Sequence, residues 1–283
     1  MSLKRKFLLL FIFAIVGWLV YAQLGRKIRV SDSKAKKEFQ SSDIELFTET
    51  IEAAGFRLHY VKTGSDTLPT LFFVHGSPGS WMKFKEYLKD KDLLKKYRMI
   101  SVDRPGFGYS QFGTVKNLQE QSDILTVLLK KLYNGKPVYA AGRSYGGPMI
   151  VKLAVDNPGW FSGLVLIAAA LDPAAEKPEK WRKIVYKTPL NYFVPGAWKV
   201  SNEELWYLKT ELKTLAPQLS SITCPVHILH GDNDGLVPVS NAEFIKKMLV
   251  NADTVSMTII PGANHFVSDH HYELVKETFM KLY

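Results

Sequence analysis

The sequence predicts an α/β protein with a mostly parallel, doubly wound sheet of about eight strands. Short apolar runs recur along the chain, and most of them end in a glycine or a polar residue. Segments with helical periodicity separate these runs. Strands that are apolar throughout and alternate with helices are typical of a parallel sheet with helices on both faces. Such sheets bind ligands at the carboxyl ends of their strands, where the polar and glycine residues of this chain cluster.

The N-terminal segment is the first element and differs from the rest of the chain. Residues 7–22 contain no charged side chain, and the basic residues that flank them are Lys4, Arg5, Lys6, Arg26, Lys27 and Arg29. A helix of that length covers about 25 Å, slightly less than the ~30 Å hydrocarbon core of a bilayer. Residues 1–30 are therefore predicted to form a single-pass membrane anchor with basic flanks. The alternative is a signal segment cleaved after Ala22, which would leave a secreted or periplasmic protein.

Charge and composition exclude several classes of protein. Residues 1–37 contain nine Lys or Arg and one Asp, so +8 of the net charge of +10 lies there and only +2 remains for residues 38–283. A nucleic-acid-binding domain needs a basic surface on its folded part, so no nucleic-acid partner is expected. Cys224 is the single cysteine, which excludes an intrachain disulfide and a multi-thiolate metal site. The sequence has no motif for a metal, a nucleoside triphosphate or a dinucleotide, so no metal and no cofactor are expected.

The body of the chain, residues 46–283, follows a polar linker at 31–45 and is predicted to be one domain. Its length suffices for one sizeable hydrophobic core. The predicted strands lie at about 57–61, 71–74, 99–102, 138–141, 164–167, 226–229 and 255–260. The predicted helices lie at about 82–96, 117–133, 146–156, 240–250 and 267–282.

One segment, about 173–221, interrupts the alternation and is predicted to be a helical cap. It has no clear strand pattern and lies between two late strands. An insertion on this side of the sheet would lie over the ligand site. Its aromatic residues would either pack the cap onto the sheet or line a substrate pocket. The candidate substrate-binding residues among them are Trp181, Trp198 and Trp206.

A G-x-S-x-G pattern follows the strand at 138–141 and opens the next helix. A sharp turn from a strand into a helix crowds the positions two residues before and after its apex, which is why Gly142 and Gly146 suit it. Such a turn exposes the hydroxyl of Ser144. The start of the helix places free amides and a partial positive charge beside a developing oxyanion. We therefore interpret Ser144 as a candidate nucleophile.

Four further motifs make the sequence resemble the α/β-hydrolase superfamily over most of residues 55–283. They are HGSPG at 75–79, DRPGFGYS at 103–110, HGDNDGLVP at 230–238 and PGANHF at 261–266. They are similar, in turn, to the family's oxyanion loop, the loop after its fourth strand, its acid loop and its histidine loop. The resemblance is to the serine esterase and lipase branch with a cap, and also to proline-iminopeptidase-like members. Ser144 departs from the epoxide-hydrolase and dehalogenase branches, which have an aspartate at that position.

The resemblance implies a catalytic triad of Ser144, Asp234 and His265. A serine hydroxyl needs a base to remove its proton, and His265 precedes the last helix in a loop from which it can reach the serine. The imidazole needs an acid that fixes its tautomer and stabilises the imidazolium. The family pattern G-x-x-D selects Asp234, with Asp172 as an alternative acid and Asp232 as a residue that braces the loop. The chain order of serine, aspartate and histidine fits the family.

The resemblance also implies an oxyanion hole formed by the backbone N–H groups of Ser77 and Tyr145. Because backbone groups are the donors, the side chains at both positions matter little for these hydrogen bonds. His75 is interpreted as a buttress of the oxyanion loop rather than as a second base. Asp103 and Arg104 are interpreted as residues that stabilise neighbouring turns.

The sequence therefore predicts a serine hydrolase that cleaves carboxylic esters through an acyl-enzyme. Its expected partners are a small-molecule ester, including lipid esters of the monoacylglycerol type, and a membrane that the N-terminal segment enters. The first alternative is an aminopeptidase of the proline-iminopeptidase type, whose cap supplies acids for a substrate amine. Glu203 and Glu204 are the adjacent acidic pair in this cap. The second alternative is a non-catalytic binding protein that retains the fold.

Overall fold

A mixed sheet of eight strands forms the centre of the protein in a computed structural model that describes residues 2–24, 28–177 and 179–282. The strands are β1 (Phe47–Ala53), β2 (Phe56–Thr63), β3 (Thr70–Val74), β4 (Arg98–Val102), β5 (Val138–Arg143), β6 (Gly163–Ile167), β7 (Val226–Gly231) and β8 (Val255–Ile260). The helices are α1 (Leu3–Leu24), α2 (Asp32–Gln40), α3 (Lys85–Leu88), α4 (Lys91–Lys96), α5 (Leu118–Leu132), α6 (Gly146–Asp156), α7 (Lys180–Lys187), α8 (Ala197–Leu215), α9 (Ser240–Met248), α10 (Val267–His270) and α11 (Tyr272–Met280). Short 3₁₀ helices lie at Trp81–Phe84, Pro189–Phe193 and Ala216–Ser221.

The strand order across the sheet is β1-β2-β4-β3-β5-β6-β7-β8. β1 pairs antiparallel with β2, and β2 pairs antiparallel with β4. Every pair from β4 to β8 is parallel. Parallel strands end at the same edge, so the loops that follow β3, β5, β7 and β8 share one side of the sheet. The predicted fold class, a mostly parallel sheet of about eight strands, is confirmed.

Successive side chains of the central strands pack on opposite faces of the sheet. In β3, Phe72 and Val74 join a hydrophobic cluster with side chains of α5, α6 and α8. Leu71 and Phe73 point the other way and join a cluster with side chains of α2, α3, α4 and α11. Burial on both faces explains why these strands read as continuous apolar runs in the sequence.

β1, an edge strand of the sheet, is not predicted from the sequence. Its sequence FTETIEA mixes polar and apolar residues, and only Ile51 and Ala53 are buried. A strand with one solvated face lacks the continuous apolar run that marks the others. Two predicted helices are also interrupted. The one at 82–96 is a 3₁₀ turn followed by α3 and α4, and the one at 267–282 divides at His271, whose φ of −121° and ψ of 47° are not helical.

Residues 31–45, expected to be a polar linker, contain a helix that packs on the domain. α2 is polar overall, but Ala35 and Phe39 on one of its faces are buried. The Phe39 ring lies 6.2 Å from the ring of Trp81 within the same hydrophobic cluster. A spacing of four residues places both apolar side chains on one side of a helix. A short amphipathic helix, fixed to the core, therefore precedes β1.

The N-terminal segment forms α1, the one helix in the described part of the chain that is long and apolar enough to cross a membrane. Ala22 is its single buried residue, and its large apolar side chains are exposed. An uncleaved signal sequence would have the same length and composition. Arg26 and Lys27, which belong to the predicted basic flank, lie outside the described residues.

The helical cap lies between β6 and β7, at the position that the sequence predicts. It consists of α7, the 3₁₀ helix Pro189–Phe193, α8 and the 3₁₀ helix Ala216–Ser221. Leu208 and Leu212 of α8 are buried in the same cluster as side chains of α5 and α6. The cap is thus fixed to the domain through α8.

Candidate active site

The turn between β5 and α6 holds Ser144 in a strained conformation. Ser144 has a φ of +53°, a value in the left-handed region that side chains other than glycine rarely adopt. A Cβ atom on Gly142 would lie 2.2 Å from the carbonyl oxygen of Gly146, and one on Gly146 would lie 2.1 Å from that of Val74. Both positions therefore require glycine. Strain of this kind in a serine between two obligatory glycines is typical of a functional turn.

Asp234 and His265 form a hydrogen-bonded pair in the loops after β7 and β8. His265 Nδ1 lies 2.7 Å from Asp234 Oδ2, and both residues are buried. The other carboxylate oxygen accepts the backbone N–H groups of Leu236 and Val237 at 2.9 and 2.8 Å. Burial alone would raise the pKa of Asp234, but the hydrogen bonds from His265 and the two amides outweigh it and hold the pKa below its usual value. The carboxylate thus stays ionised and keeps Nδ1 as the protonated nitrogen, which leaves Nε2 as the acceptor.

Arg143 joins the serine turn to the histidine loop. Its guanidinium donates to Ser268 Oγ at 3.1 Å and forms an ion pair with Asp269. Ser144 therefore follows a residue that contacts positions three and four after His265. In the described part of the chain no hydrogen bond joins the Ser144 hydroxyl to the His265 ring. Catalytic hydrogen bonds are often long in enzymes without substrate and shorten in the complex.

The other two acids considered from the sequence have contacts of their own. Asp172 Oδ1 accepts the N–H of Ala174 at 2.8 Å, within the turn that follows β6. Asp232 Oδ1 accepts the N–H of Gly262 at 2.6 Å and so connects the acid loop to the histidine loop. These contacts agree with the loop-bracing interpretation of Asp232.

The two predicted oxyanion donors lie beside the serine turn. Among the described residues, neither Ser77 N–H nor Tyr145 N–H has a hydrogen-bond partner in the protein. Gly76 is adjacent to Ser144, since a Cβ atom on this glycine would lie 3.5 Å from Ser144 Oγ. The Ser77 hydroxyl donates to Ser201 Oγ of α8 at 2.8 Å, so its side chain fixes the loop to the cap. Two unpaired amides next to a strained serine are what an oxyanion hole requires.

His75 supports the oxyanion loop from within. Its Nδ1–H donates to the carbonyl oxygen of Gly76 at 2.7 Å, and its Nε2 accepts the N–H of Arg104 at 3.0 Å. Burial, with a smaller contribution from the nearby Arg104 guanidinium, lowers the pKa of His75 well below its usual value. A neutral ring with both nitrogens occupied suits the buttress predicted from the sequence.

Arg104 links the oxyanion loop, the serine turn and α8. The sequence predicts only that it stabilises a neighbouring turn. The fully buried guanidinium donates to both carboxylate oxygens of Glu204 in α8, at 2.9 and 2.8 Å. It also donates to the carbonyl oxygen of His75 at 2.9 Å. The rings of Phe107 and Tyr145 lie 4.8 and 4.4 Å from it. The sequence does not predict this ion pair, because its partners are 100 positions apart and no local pattern relates Arg104 to Glu204.

Loss of the Glu204 carboxylate should destabilise the protein strongly. Glu204→Gln keeps the side-chain shape but leaves the Arg104 charge buried without its counter-ion. We expect the free energy of unfolding to fall by about 3–5 kcal/mol, measured by urea denaturation of the full chain in detergent. Glu203→Gln is the matched control, because this neighbouring carboxylate has no buried guanidinium partner among the residues that the structure describes. Equal stabilities of the two variants would contradict the importance of the ion pair.

A cavity of about 530 Å³ lies behind the serine turn, between α5 and α8. Its lining includes Glu211, whose carboxylate lies 3.3 Å from the hydroxyl of Tyr145 and 3.4 Å from the N–H of Leu118. Burial raises the pKa of Glu211 to about 7. The side chain of Tyr145, whose N–H is a predicted oxyanion donor, thus contacts a carboxyl group that titrates near neutral pH.

The raised pKa of Glu211 predicts how the stability of the protein depends on pH. Between pH 4.5, the ordinary pKa of a glutamate, and about 7 the folded protein holds a proton on Glu211 that the unfolded chain has lost. The contribution of Glu211 to stability therefore falls as the pH rises through this range. Glu211→Gln should be more stable than the wild type at pH 8, by up to about 3 kcal/mol, and nearly unchanged at pH 5. Urea denaturation at both pH values measures the difference, and equal stabilities at pH 8 would refute it.

The aromatic side chains of the cap lie mostly on its surface. Trp181 and Trp198, two candidate substrate-binding residues, are 49% and 48% exposed, and Trp206 is half-buried. The guanidinium of Arg182 lies 4.8 Å from the Trp181 ring. Tyr192 and other cap aromatics are also exposed, so packing the cap onto the sheet, one of the two roles that the sequence leaves open, is not their main role. A sequence cannot distinguish these roles, because aromatic residues suit a core, a pocket and an interface equally.

Metal ligands do not assemble in the part of the chain that the structure describes. No group of three or more His, Cys, Asp or Glu side chains there could hold an ion. Cys224 is partly buried, and burial raises the pKa of its thiol to about 11. Its thiolate form is therefore scarce at neutral pH, which fits a structural thiol.

Known proteins match this chain in sequence and in fold. A family model described as the alpha/beta hydrolase fold matches residues 69–192. Epoxide hydrolase 1 of Caenorhabditis elegans is 43% identical over 54 residues, which are 19% of this chain and 13% of that protein. Pimeloyl-(acyl-carrier protein) methyl ester esterase of Nitrosomonas europaea is 23% identical over 249 residues, 74% of this chain and 92% of that protein.

A solved structure covers the whole length of the chain. The crystal structure of a membrane phospholipase A, a bacterial virulence factor, aligns with 99% of this chain and with 100% of its own, at a TM-score of 0.60 and 18% identity. At 18% identity, this similarity shows that the two proteins share a fold and no more. The family model, the order of the strands and this shared fold agree with the motifs around the serine turn. The chain has the alpha/beta hydrolase fold, and its residues 69–192 match the model of that family.

Proposed function

We propose that the protein is a serine hydrolase that cleaves carboxylic esters, with a triad of Ser144, His265 and Asp234. The proposal depends above all on the 2.7 Å hydrogen bond between Asp234 and His265 Nδ1. That bond leaves Nε2 to act on a serine, and Ser144 occupies the strained turn that Arg143 connects to the histidine loop.

The reaction would proceed in two halves. His265 Nε2 accepts the Ser144 proton while Oγ attacks the carbonyl carbon of the ester. The N–H groups of Ser77 and Tyr145 donate to the oxyanion that forms. The imidazolium, stabilised by Asp234, returns the proton to the leaving oxygen, and an alcohol departs. Water, deprotonated by His265, then attacks the acyl group on Ser144. The bond to Oγ breaks, the imidazolium returns the proton to Ser144 Oγ, and a carboxylic acid is released.

Two observations favour an ester over the peptidase alternative. The relative matched over 92% of its length is named as a methyl ester esterase. A peptidase of the proposed type would need Glu203 and Glu204 to bind the substrate amine, but the Glu204 carboxylate is buried against Arg104 with both oxygens occupied. Epoxide hydrolysis is disfavoured, because Ser144 stands at the position where the epoxide-hydrolase branch has an aspartate nucleophile.

A panel of substrates tests the reaction class. The full chain should hydrolyse p-nitrophenyl esters of short to long acyl chains faster than prolyl-p-nitroanilide. Activity profiling across acyl lengths on the purified protein then identifies the preferred substrate. Hydrolysis of the anilide alone would replace the esterase by the aminopeptidase alternative.

We also propose that α1 anchors the enzyme in a membrane, which would bring lipid esters within reach of the site. The exposed apolar side chains of α1 support this, as does the membrane phospholipase whose structure covers the whole chain. The intact mass of the protein in the membrane fraction should include residues 1–22. A mature protein that begins at Gln23 and is released into the soluble fraction would show a cleaved signal instead.

A further inference from the structure

One surface of the cap is both apolar and basic. We call it the cap face and define it as residues 180–199, which comprise α7, the following 3₁₀ helix and the start of α8. Its six most exposed large apolar side chains are each between 40% and 59% exposed, and they are Trp181, Ile184, Leu190, Tyr192, Phe193 and Trp198. So many exposed aromatic and aliphatic side chains in one segment are unusual for a surface that meets only water.

The same segment carries only positive charge. Residues 180–199 contain five Lys or Arg and no Asp or Glu. Three of these cations lie close to aromatic rings of the cap face itself: Arg182 is 4.8 Å from Trp181, Lys187 is 5.9 Å from Tyr186, and Lys199 is 5.6 Å from Tyr192. Aromatic rings mixed with Lys and Arg are typical of segments that lie in the headgroup layer of an anionic bilayer.

Direct contacts fix the cap face to the end of α1. Trp18 Nε1–H donates to the carbonyl oxygen of Phe193 at 3.0 Å, and Gln23 Nε2 donates to that of Tyr192 at 2.9 Å. The N–H of Gly196 donates to the carbonyl oxygen of Ala22 at 2.9 Å. Trp18 precedes Ala22 by four residues, a rise of about 6 Å along a helix. The 3₁₀ helix of the cap face therefore lies level with the last turns of α1.

The cap face also adjoins the candidate site. Trp198 lies in the first turn of α8 on this face, and three residues later Ser201 contacts the hydroxyl of Ser77 in the oxyanion loop. Glu204, one turn further, forms the ion pair with Arg104. A surface that meets the cap face would thus lie within a few helical turns of the oxyanion loop.

We propose that the cap face lies in the headgroup layer of an anionic phospholipid bilayer, beside the point where α1 leaves it. The inference rests on the proposed anchor role of α1 but not on the ester chemistry. α1 sets the depth of the 3₁₀ helix, the aromatic and aliphatic side chains enter the interface, and the lysines face the anionic headgroups. The candidate site then takes acyl substrates from the bilayer surface rather than from bulk water.

Fluorescence at single labelled positions in the full chain tests this placement. Cys224→Ala removes the native thiol, and an environment-sensitive fluorophore is attached to Ile184→Cys or Tyr192→Cys in vesicles of phosphatidylcholine and phosphatidylglycerol. The label at Val16→Cys reports the insertion of α1. The label at Val250→Cys is the control, because Val250 is 70% exposed and lies outside the cap face, between α9 and β8.

The two cap positions and position 16 should shift to shorter emission wavelengths and be quenched by spin-labelled lipids, whereas position 250 should not change. Quenching at 16 with none at 184 and 192 would overturn the cap-face proposal and leave the anchor intact. No quenching at 16 would overturn both. A blue shift at 184 and 192 without quenching by the lipid would mean that protein, such as a second copy of this chain, covers the cap face. That result would also overturn the cap-face proposal. Ester hydrolysis, assayed separately with a soluble substrate, does not enter this test.

Charge reversal tests the choice of an anionic surface. Lys183→Glu combined with Lys187→Glu should reduce the quenching at position 192 in anionic vesicles by at least about threefold. Lys246→Glu combined with Lys247→Glu, an exposed pair on α9, is the matched control and should leave the quenching unchanged. The same loss in both double variants would show a general effect of net charge and would contradict docking through the cap face.

Discussion

Ser144→Ala is expected to abolish ester hydrolysis while the protein remains folded. Alanine removes the nucleophile, and neither His265 nor the oxyanion amides can form an acyl-enzyme without it. Removal of the nucleophile of a comparable triad lowers kcat by about 10⁴–10⁶-fold. The loss is measured as kcat on a p-nitrophenyl ester and as the absence of the mass increase that a fluorophosphonate gives with the wild type. A wild-type protein that is folded but takes no label would refute the hydrolase proposal and favour a non-catalytic binding protein.

The backbone of Ser144 supplies a second readout at the same position. Its φ of +53° costs free energy that glycine would not pay, since glycine adopts this region without a steric clash. Ser144→Gly should therefore unfold at a higher temperature than the wild type, by a shift equivalent to about 1 kcal/mol, and still be inactive. Ser77→Ala is the control for activity, because it keeps the backbone N–H that we propose donates to the oxyanion.

The sequence predicts this fold well where one strand or loop carries its own signal. β3, β5 and β6 are buried on both faces and so read as apolar runs, and Gly142 and Gly146 are required by close backbone contacts of the serine turn. β1 is not predicted from the sequence, because only one of its faces is covered. α2 is not predicted because two buried side chains, Ala35 and Phe39, are too few for a strong periodicity.

The candidate site likewise contains residues that a local pattern predicts and contacts that no local pattern predicts. The candidate triad lies in loops with local patterns, so its members can be named before any geometry is known. The Arg104–Glu204 ion pair, the Glu211 carboxyl behind Tyr145 and the contact of Arg143 with Asp269 join distant segments. Their energy comes from burial and pairing in three dimensions, which no local pattern in one sequence records. The same limit explains why the sequence leaves the role of the cap aromatics open.

Asp234→Asn should lower kcat for ester hydrolysis by about 10²–10⁴-fold. The asparagine still fills the space and can still accept the N–H groups of Leu236 and Val237, but its amide carries no charge to stabilise the imidazolium. It also permits the tautomer in which His265 Nε2 holds the proton, and that nitrogen then cannot accept the proton of Ser144. Labelling by a fluorophosphonate should slow in parallel, because the attack by Ser144 depends on the same base.

Asp172→Asn is the control for this prediction. Asp172 follows the neighbouring strand β6 and is the alternative acid, but its carboxylate accepts the N–H of Ala174 in a local turn, which asparagine can also do. We expect Asp172→Asn to keep activity close to the wild type and Asp234→Asn to lose it. The reverse pattern would mean that His265 turns toward β6 when substrate binds, and the 2.7 Å bond to Asp234 would then belong to a resting arrangement. A kcat that falls in both variants by the same factor would mean that neither carboxylate alone fixes the imidazole.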